Sequence, residues 1–272
     1  MLTLGHISYS NCLPVHAGLF ECGLPPGVEV EYGVPGELNA KLASGEIDVA
    51  PASCVEYPRH VNSYRVLPGL SISSSGPVKT IQLLTKKPLE ELADGALVAL
   101  PTASATSVVL LKIILEQRLG IRPRYFWFVQ ETTGELAEDV DAALYIGDIA
   151  RERLEQTDAR SYDLGTEWHD WTGLPFVFAL WQTNAGPERD EELRELTSAI
   201  TASREWAFTH LSELASKHAP AFGWSPEGLL RYWRSLSYGW DAELAAGLDQ
   251  FYRRAVELGE LPTAPSPVFL EL

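Results

Sequence analysis

The sequence predicts an α/β protein with two lobes, and three observations support this prediction. Strand-like and helix-like segments alternate in the first part of the chain. A second alternating stretch begins near Leu97, and the chain becomes almost entirely helical from Glu188 onward. Because strands joined by helices pair in parallel, each stretch is expected to form its own sheet. The C-terminal helices are expected to return to the first lobe.

The elements of the first lobe are predicted from apolar periodicity and from turn-forming residues. Strands are expected at 2–7, 28–32 and 47–50, and helices at 15–20 and 37–44. The second of these helices carries Leu38 and Leu42 on one face and stops at Gly45, a common helix terminus. Two later apolar runs, 65–70 and 80–85, are separated by the serine-rich segment 71–77, which is expected to be a turn.

The elements of the second lobe follow in a similar order. Strands are expected at 97–100, 124–128 and 141–148, and an apolar helix at 108–119. An apolar strand at 172–181 is expected to cross back to the first lobe, with helices at 191–218, 226–236 and 241–259. The first lobe is therefore expected to comprise residues 1–83 and 182–272, and the second lobe residues 84–181. Four tryptophans of the C-terminal helices are expected in the core: Trp206, Trp224, Trp233 and Trp240.

A short internal similarity links the two halves of the chain. Residues 45–50 (GEIDVA) and 138–143 (EDVDAA) share one order of acidic, apolar, aspartate and small residues. This similarity is explained either by two lobes of similar structure or by chance over six residues. Two lobes joined by two crossings, with a helical return, describe a type II periplasmic-binding-protein fold. In this fold the ligand lies in the cleft between the lobes, near the carboxyl ends of strands.

Composition and charge argue against several classes of protein. The formal net charge of −16 over 272 residues repels nucleic acid and anionic membranes, so an anionic ligand needs local donors. No apolar run reaches the roughly 18 residues of a transmembrane helix. The first residues lack the basic and apolar regions of a signal peptide. We expect a cytoplasmic protein with neither a nucleic-acid partner nor a membrane partner.

Cysteine and histidine usage predicts neither a metal nor an organic cofactor. The three cysteines, Cys12, Cys22 and Cys54, have no metal-type spacing, and their odd number suits a reducing compartment. The histidines show no HExxH or H-x₃-H spacing, and no dinucleotide or P-loop motif is present. His6, His16 and Glu56 lie near predicted strand ends, where a structural role is the usual one.

The segment 101–107 (PTASATS) is the most informative candidate site. Small hydroxyl residues stand between a predicted strand and an apolar helix. The first amides of a helix have no internal partner and carry partial positive charge, so this segment can hold a carboxylate or phosphate. Simple capping of the helix by Ser104 or Thr106 is the alternative.

Three further loops offer polar groups at predicted strand ends. Segment 8–11 (SYSN) follows the first strand, and Asn11 either faces the cleft or caps the next helix. Segment 71–77 is either a solvated hinge or a cleft-facing loop. Asp148, after Gly147, either faces the cleft or forms a turn.

Six ordered blocks of the sequence carry a family resemblance: residues 5–14, 45–57, 67–78, 104–107, 146–148 and 172–179. These blocks resemble one known family, the chorismate dehydratases of the futalosine route to menaquinone. The resemblance runs from about residue 3 to about residue 182 and implies the two-lobed binding-protein fold. Cys12 departs from the pattern, since a small polar residue such as Thr is expected there.

The resemblance implies conversion of chorismate to 3-[(1-carboxyvinyl)oxy]benzoate and water, without a cofactor. It implies catalytic roles for Asn11 and Ser75. The expected substrate-binding residues are Ser10, Ser53, Ser73, Thr102, Ser104, Ala105, Thr106, Gly147 and Asp148. A homodimer is left open. The alternatives are the sister lyase that releases dihydroxynaphthoate from cyclic futalosine, and a non-catalytic binding protein for a small carboxylate.

Overall fold

A computed structural model describes residues 1–130 and 136–272 and folds them around two five-stranded sheets. The first sheet has the order β2-β1-β3-β10-β4. Its strands are β1 (Leu2–Ile7), β2 (Val28–Gly33), β3 (Val49–Ser53), β4 (Arg65–Ser74) and β10 (Phe176–Thr183). Strand β1 pairs in parallel with β2 and β3, whereas β10 runs antiparallel to β3 and β4.

The second sheet repeats this topology in the order β7-β6-β8-β5-β9. Its strands are β5 (Ile81–Thr85), β6 (Leu97–Pro101), β7 (Arg124–Phe128), β8 (Ala142–Ile146) and β9 (Arg160–Asp163). Strand β6 pairs in parallel with β7 and β8, and β5 runs antiparallel to β8 and β9. The predicted two-sheet α/β architecture is therefore confirmed. Each sheet is mixed rather than all parallel, because the strand that follows each crossing, β5 or β10, runs antiparallel to its neighbours.

Helices cover both sheets and form the C-terminal part of the chain. Those before β10 are α1 (Leu13–Cys22), α2 (Pro35–Ser44), α3 (Glu56–Arg59), α4 (Thr106–Ile113), α5 (Gly147–Glu155) and α6 (Leu164–Thr172). A π-helical turn, Ile114–Arg118, continues α4. The C-terminal helices are α7 (Asp190–Thr209), α8 (Leu211–His218), α9 (Pro226–Ser235) and α10 (Ala242–Glu257). Among the described residues, no helix is long and apolar enough to span a membrane.

The internal similarity marks equivalent positions in the two sheets. Asp48 precedes β3, accepts the amide of Thr3 at 2.7 Å and donates its own amide to the Thr3 carbonyl at 3.0 Å. Asp141 precedes β8 and makes the same pair of bonds to Leu97, at 2.8 and 3.0 Å. Each aspartate thus anchors the central strand of its sheet, β3 or β8, to the start of the adjacent parallel strand, β1 or β6. This repeated contact favours the explanation by two similar lobes.

The sheet membership of two strands moves the expected lobe boundaries. Strand β5 lies wholly in the second sheet and β10 wholly in the first, so the chain crosses at residues 75–80 and 173–175. The expected boundaries, 83/84 and 181/182, fall within or beside these strands. Both strands are buried along their whole length. A strand that is buried on both faces has no alternation of apolar and polar residues to indicate which sheet it joins.

The serine-rich segment and the tryptophans also differ in part from prediction. Residues up to Ser74 belong to strand β4 rather than to a turn, because its serine hydroxyls are satisfied by hydrogen bonds within the protein. Trp233 is fully buried as expected. The three other C-terminal tryptophans pack against the core while partly exposed: Trp206, Trp224 and Trp240.

Candidate active site

A cavity lies between the two sheets. The first sheet and its loops contribute Ile7, Tyr9, Asn11, Ser53, Ile72 and Phe178, among others. The second contributes Thr80, Ile81, Ser104, Thr106, Ser107, Ile146 and Gly147. Several of these residues follow the carboxyl ends of parallel strands β1, β3, β6 and β8, which is where open α/β sheets bind ligands.

The described lining of this cavity contains no Lys, Arg, His, Asp or Glu side chain. Its polar groups are hydroxyls, one amide side chain and the amino-terminal ends of α4 and α5. Burial raises the pKa of the Tyr9 phenol to about 12, so this hydroxyl stays protonated at neutral pH. The cavity therefore offers neutral donors to an anion, as the acidic composition requires.

The start of α4 gives the first cluster of donors. Ser104 Oγ accepts the amide of Ser107 at 3.3 Å, so Ser104 contributes to capping. The Thr106 hydroxyl donates only to Cys54 Sγ, at 3.5 Å, among the contacts described. Sulfur is a weak acceptor, so this proton is easily redirected to a carboxylate. Ser104 and Thr106 both line the cavity, so capping by Ser104 does not exclude a contact with a bound anion.

Thr102 and Ala105, also expected to bind substrate, lie outside the cavity lining. Thr102 is exposed, and both residues line a separate surface groove. Ser104 borders both the groove and the cavity.

Asn11 lines the cavity, and its Oδ1 is buried without a hydrogen-bond partner among the described residues. The residue lies in the turn between β1 and α1. The N-cap position of α1 is Cys12, with no side-chain cap, so Asn11 does not cap this helix. A buried acceptor without a partner is costly, and a ligand donor in the cavity would satisfy it.

Ser53, at the end of β3, presents its hydroxyl to the cavity in a fixed orientation. Asn39 of α2 accepts the Ser53 amide at 3.1 Å and donates its Nδ2 to Ser53 Oγ at 3.0 Å. Because Oγ already accepts from Asn39, the Ser53 hydroxyl proton is free to be donated into the cavity. Sequence reasoning found Ser53 through the resemblance but missed Asn39, whose role depends on a contact between two elements.

Gly147 lines the cavity at the start of α5 with φ of 67°. Facing it is the ring of Tyr9, whose hydroxyl accepts from Gln130 Nε2 at 3.2 Å. Gln130 also pairs with the backbone of Ile146 through two bonds of 3.0 Å. Tyr9 and Gln130 thus join the two lobes beside the cavity. Sequence reasoning missed Gln130, which no local pattern distinguishes from a surface glutamine.

Ser10 and Asp148 are brought together, but neither lines the cavity. Asp148 Oδ2 accepts the Ser10 amide at 2.8 Å, and Oδ1 accepts the Ser10 hydroxyl at 2.5 Å. Trp224 Nε1 donates to the same Oδ1 at 2.8 Å. The Asp148 carboxylate is therefore occupied by protein donors, which leaves it unsuited to an anionic substrate.

The serine-rich segment 71–77 does not present its serine hydroxyls to the cavity. Ser71 Oγ donates to the Gly239 carbonyl at 2.6 Å, and Ser73 Oγ to the Ser237 carbonyl at 3.1 Å. Ser75 is exposed and lies outside the cavity lining. The structure brings neither Ser73 nor Ser75 to the cavity: Ser73 lies on the opposite face of β4 from Ile72, and Ser75 follows the strand and is exposed. Ile72, between two of these serines, lines it instead.

One group of described residues could approach a metal ion, namely His6, Cys12 and His16. The Trp181 indole donates to His16 Nε2 at 2.9 Å, and an indole can only donate. A neutral His16 therefore carries its proton on Nδ1, which lies 2.9 Å from His6 Nδ1 and donates to it. Both nitrogens of His16 are engaged, so this cluster fits a buried hydrogen-bonded chain better than a ligand set.

Comparisons with known proteins show the family and the fold of this chain. A chorismate dehydratase of Thermus thermophilus is 34% identical over 278 aligned residues, covering 96% of each chain. A solved structure from Archaeoglobus fulgidus aligns with a TM-score of 0.76 at 20% identity, covering 95% of this chain and 97% of that one. The aliphatic sulphonate binding protein of Escherichia coli aligns with a TM-score of 0.66 at 15% identity, covering 100% and 94%.

The two structural likenesses show the fold alone, which is the predicted periplasmic-binding-protein fold. A family model described as menaquinone biosynthesis matches residues 2–257. This match spans both sheets, the cavity between them and all four C-terminal helices. The chain therefore belongs to the menaquinone biosynthesis family.

Proposed function

We propose that this chain is a chorismate dehydratase, a carbon–oxygen lyase that converts chorismate to 3-[(1-carboxyvinyl)oxy]benzoate and water. The observation that carries the proposal is the cavity itself, where neutral donors and the unpaired Asn11 amide converge. The near-full-length relative of that name supports it. Because the cysteines are free thiols, a reducing cytoplasmic location fits the same proposal.

Chorismate carries two carboxylates, and the cavity offers donors from both lobes. Thr106 and the first amides of α4 face it from the second lobe, and the Ser53 hydroxyl faces it from the first. Charge-assisted hydrogen bonds of this kind are about twice as strong as neutral ones. A dicarboxylate bound to both sets of donors would hold the two lobes together.

The reaction breaks one C–H bond and one C–O bond of the ring. The proton leaves the ring carbon that bears the enolpyruvyl ether, and its electron pair moves through the conjugated system toward the ring carboxylate. Donors at this carboxylate stabilise the developing charge. The neighbouring hydroxyl then takes up the proton that was removed from the ring carbon and departs as water, and the ring becomes aromatic. Because aromatisation supplies a large driving force, a weak base is sufficient.

The described cavity lining supplies no carboxylate or imidazole to act as that base. The enolpyruvyl carboxylate of the substrate is therefore the proposed proton acceptor. Asn11 then orients reacting groups, because its amide can donate to the departing hydroxyl or to the enolpyruvyl carboxylate. The apolar residues Ile7, Ile72 and Phe178 exclude water around these groups, which strengthens each hydrogen bond.

Incubation of the purified protein with chorismate tests the proposal. The expected result is loss of the chorismate ultraviolet spectrum and formation of an aromatic product of the mass of chorismate minus water. Binding of chorismate without turnover would support a non-catalytic binding protein. Release of dihydroxynaphthoate from cyclic futalosine, with no reaction of chorismate, would support the sister lyase.

A further inference from the structure

We propose that Asp148 is a positioning residue that holds the Asn11 loop of the first lobe against the second lobe. Its effect on turnover rests on the proposed function, whereas its effect on the loop does not. Asp148 lies at the start of α5, only 9% exposed, and faces the turn between β1 and α1. Through Ser10 it would fix the backbone from which the Asn11 side chain extends into the cavity.

The contact between Asp148 and Ser10 is more than a single hydrogen bond. Both the amide and the hydroxyl of Ser10 donate to this carboxylate, at 2.8 and 2.5 Å. The carbonyl of Ser10 accepts from Trp233 Nε1 at 2.7 Å. Every polar group of Ser10 is thus engaged with α5 or with the C-terminal helices, so the loop has one defined backbone position while these contacts persist.

A second set of contacts braces Asp148 from the other side. Trp224 donates to Asp148 Oδ1 and stacks on Tyr232, with ring centroids 5.0 Å apart and planes inclined by 6°. The Tyr232 hydroxyl lies 2.7 Å from Thr80 Oγ1, and Thr80 accepts the amide of Gly147 through its carbonyl at 2.8 Å. These contacts form a closed loop of interacting residues that links the crossing segment 75–80 to the start of α5. Asp148 belongs to this loop of contacts and cannot move independently of it.

Asn11 needs this support because its own Oδ1 has no partner among the described residues. The direction of its side chain therefore depends on the adjoining backbone rather than on bonds of its own. A carboxylate at 148 accepts from three donors with two oxygens. An asparagine there would turn its NH₂ group toward at least one of these donors, since an amide has only one acceptor oxygen. The full contact thus requires both acceptor oxygens of a carboxylate.

Amide hydrogen exchange at Ser10, measured by NMR without ligand, tests the contact directly. In Asp148→Asn we expect this amide to exchange at least about tenfold faster than in the parent protein, because at least one donor of the contact loses its acceptor and the loop opens more often. The control is Asp141→Asn, which removes a carboxylate from the opposite end of β8, where it accepts the Leu97 amide. This control should leave exchange at Ser10 unchanged. Unchanged exchange in a folded Asp148→Asn protein would overturn the proposal.

Steady-state kinetics with chorismate test the consequence for turnover. We expect Asp148→Asn to lower kcat by about 10- to 100-fold, with a smaller change in KM, as for coupled residues in one network. Asn11→Ala should then cost much less in the Asp148→Asn background than alone. Multiplicative losses of kcat in the double variant would refute positioning of Asn11 by Asp148.

Ser10→Ala provides a second variant if Asp148→Asn fails to fold. It removes the hydroxyl donor but keeps the amide. We therefore expect a smaller fall in kcat than in Asp148→Asn, again with little change in KM. A Ser10→Ala enzyme with unaltered kcat would count against the proposal. If the parent protein does not dehydrate chorismate, the proposed function fails, and hydrogen exchange alone decides whether Asp148 fixes the loop.

Discussion

The ring of Tyr9 lies against the backbone of Gly147, so that a Cβ built on Gly147 would come within 2.8 Å of its ring carbons. The two residues belong to different lobes, and their contact forms part of the cavity wall. Gly147 has a φ of 67°, in the left-handed region. This position therefore requires glycine for two separate reasons, backbone conformation and the close approach of the other lobe.

Gly147→Ala should lower kcat/KM for chorismate because the methyl group pushes Tyr9 and the first lobe away from α5. The control is Gly120→Ala, since Gly120 has a φ of 70° and open space where a Cβ would be. Both substitutions carry the left-handed penalty of about 1–2 kcal/mol, which thermal unfolding measures. Only Gly147→Ala is expected to lose activity; equal kinetics in the two variants would refute a role for this contact.

Thr106→Val should weaken chorismate binding by about 1.5–3 kcal/mol, the range for a hydrogen bond to a charged group. Its hydroxyl is buried in the cavity and has only a weak sulfur acceptor. Titration calorimetry on the folded variant measures the loss. Thr102→Val is the matched control, because Thr102 lies in the same segment but outside the cavity. Comparable losses at both positions would contradict this placement.

Asn11→Ala should lower kcat more than it raises KM, since the amide is expected to act mainly in the transition state. Removal of one preorganised donor typically costs on the order of 10²–10³ in rate. Because α1 begins with Cys12 at its N-cap position, the thermal melt should change little. Ser8→Ala, an exposed change in the same turn, is the control. A destabilised but fully active Asn11→Ala enzyme would remove Asn11 from the site.

The buried histidine pair should make the protein sensitive to acid. Burial lowers the pKa of His6 from 6.5 to about 4 and, together with the neighbouring His6, lowers that of His16 well below 6.5. As the pH falls, the histidines of the unfolded chain therefore bind protons at a higher pH than the same histidines in the folded protein. The stabilisation is complete above pH 6.5 and is lost as the pH falls from there toward 4. Each histidine contributes a slope of up to about 1.4 kcal/mol per pH unit.

His6→Asn should make this loss of stability shallower, because one titrating group is removed while the Asn oxygen can still accept from His16. Urea unfolding at several pH values between 7 and 4 measures the slope of the free energy of unfolding. Parallel slopes for the parent protein and the variant would show that His6 is not responsible.

Exhaustive chelation should leave the turnover of chorismate unchanged. The reason is that both nitrogens of His16 are already engaged, by Trp181 and by His6, in the one described cluster that could approach a metal ion. The measurement is activity after dialysis against a chelator, with added divalent metals as the control. Activity that disappears and returns with one metal would contradict the expectation.

Local patterns in the sequence determined much of the fold. Alternating apolar residues located β1 and β2, and the Leu38–Leu42 pair with Gly45 located α2, because the periods of strands and helices are local properties. The same reasoning placed Asn11, Thr106 and Gly147 after strands, at the sheet edge where clefts open. All three line the cavity. The similarity around Asp48 and Asp141 anticipated the repeated topology.

The tertiary structure alone decided which sheet each crossing strand joins and which polar groups remain free for a ligand. Ser10 and Asp148 are far apart in sequence, yet they satisfy each other, and Ser73 is satisfied by the carbonyl of Ser237. The sequence alone does not distinguish a hydroxyl or carboxylate that is free to bind a ligand from one that is already hydrogen-bonded. The reason is that hydrogen-bond partners are set by packing between distant elements. Only the folded chain therefore distinguishes the free acceptor of Asn11 from the occupied carboxylate of Asp148.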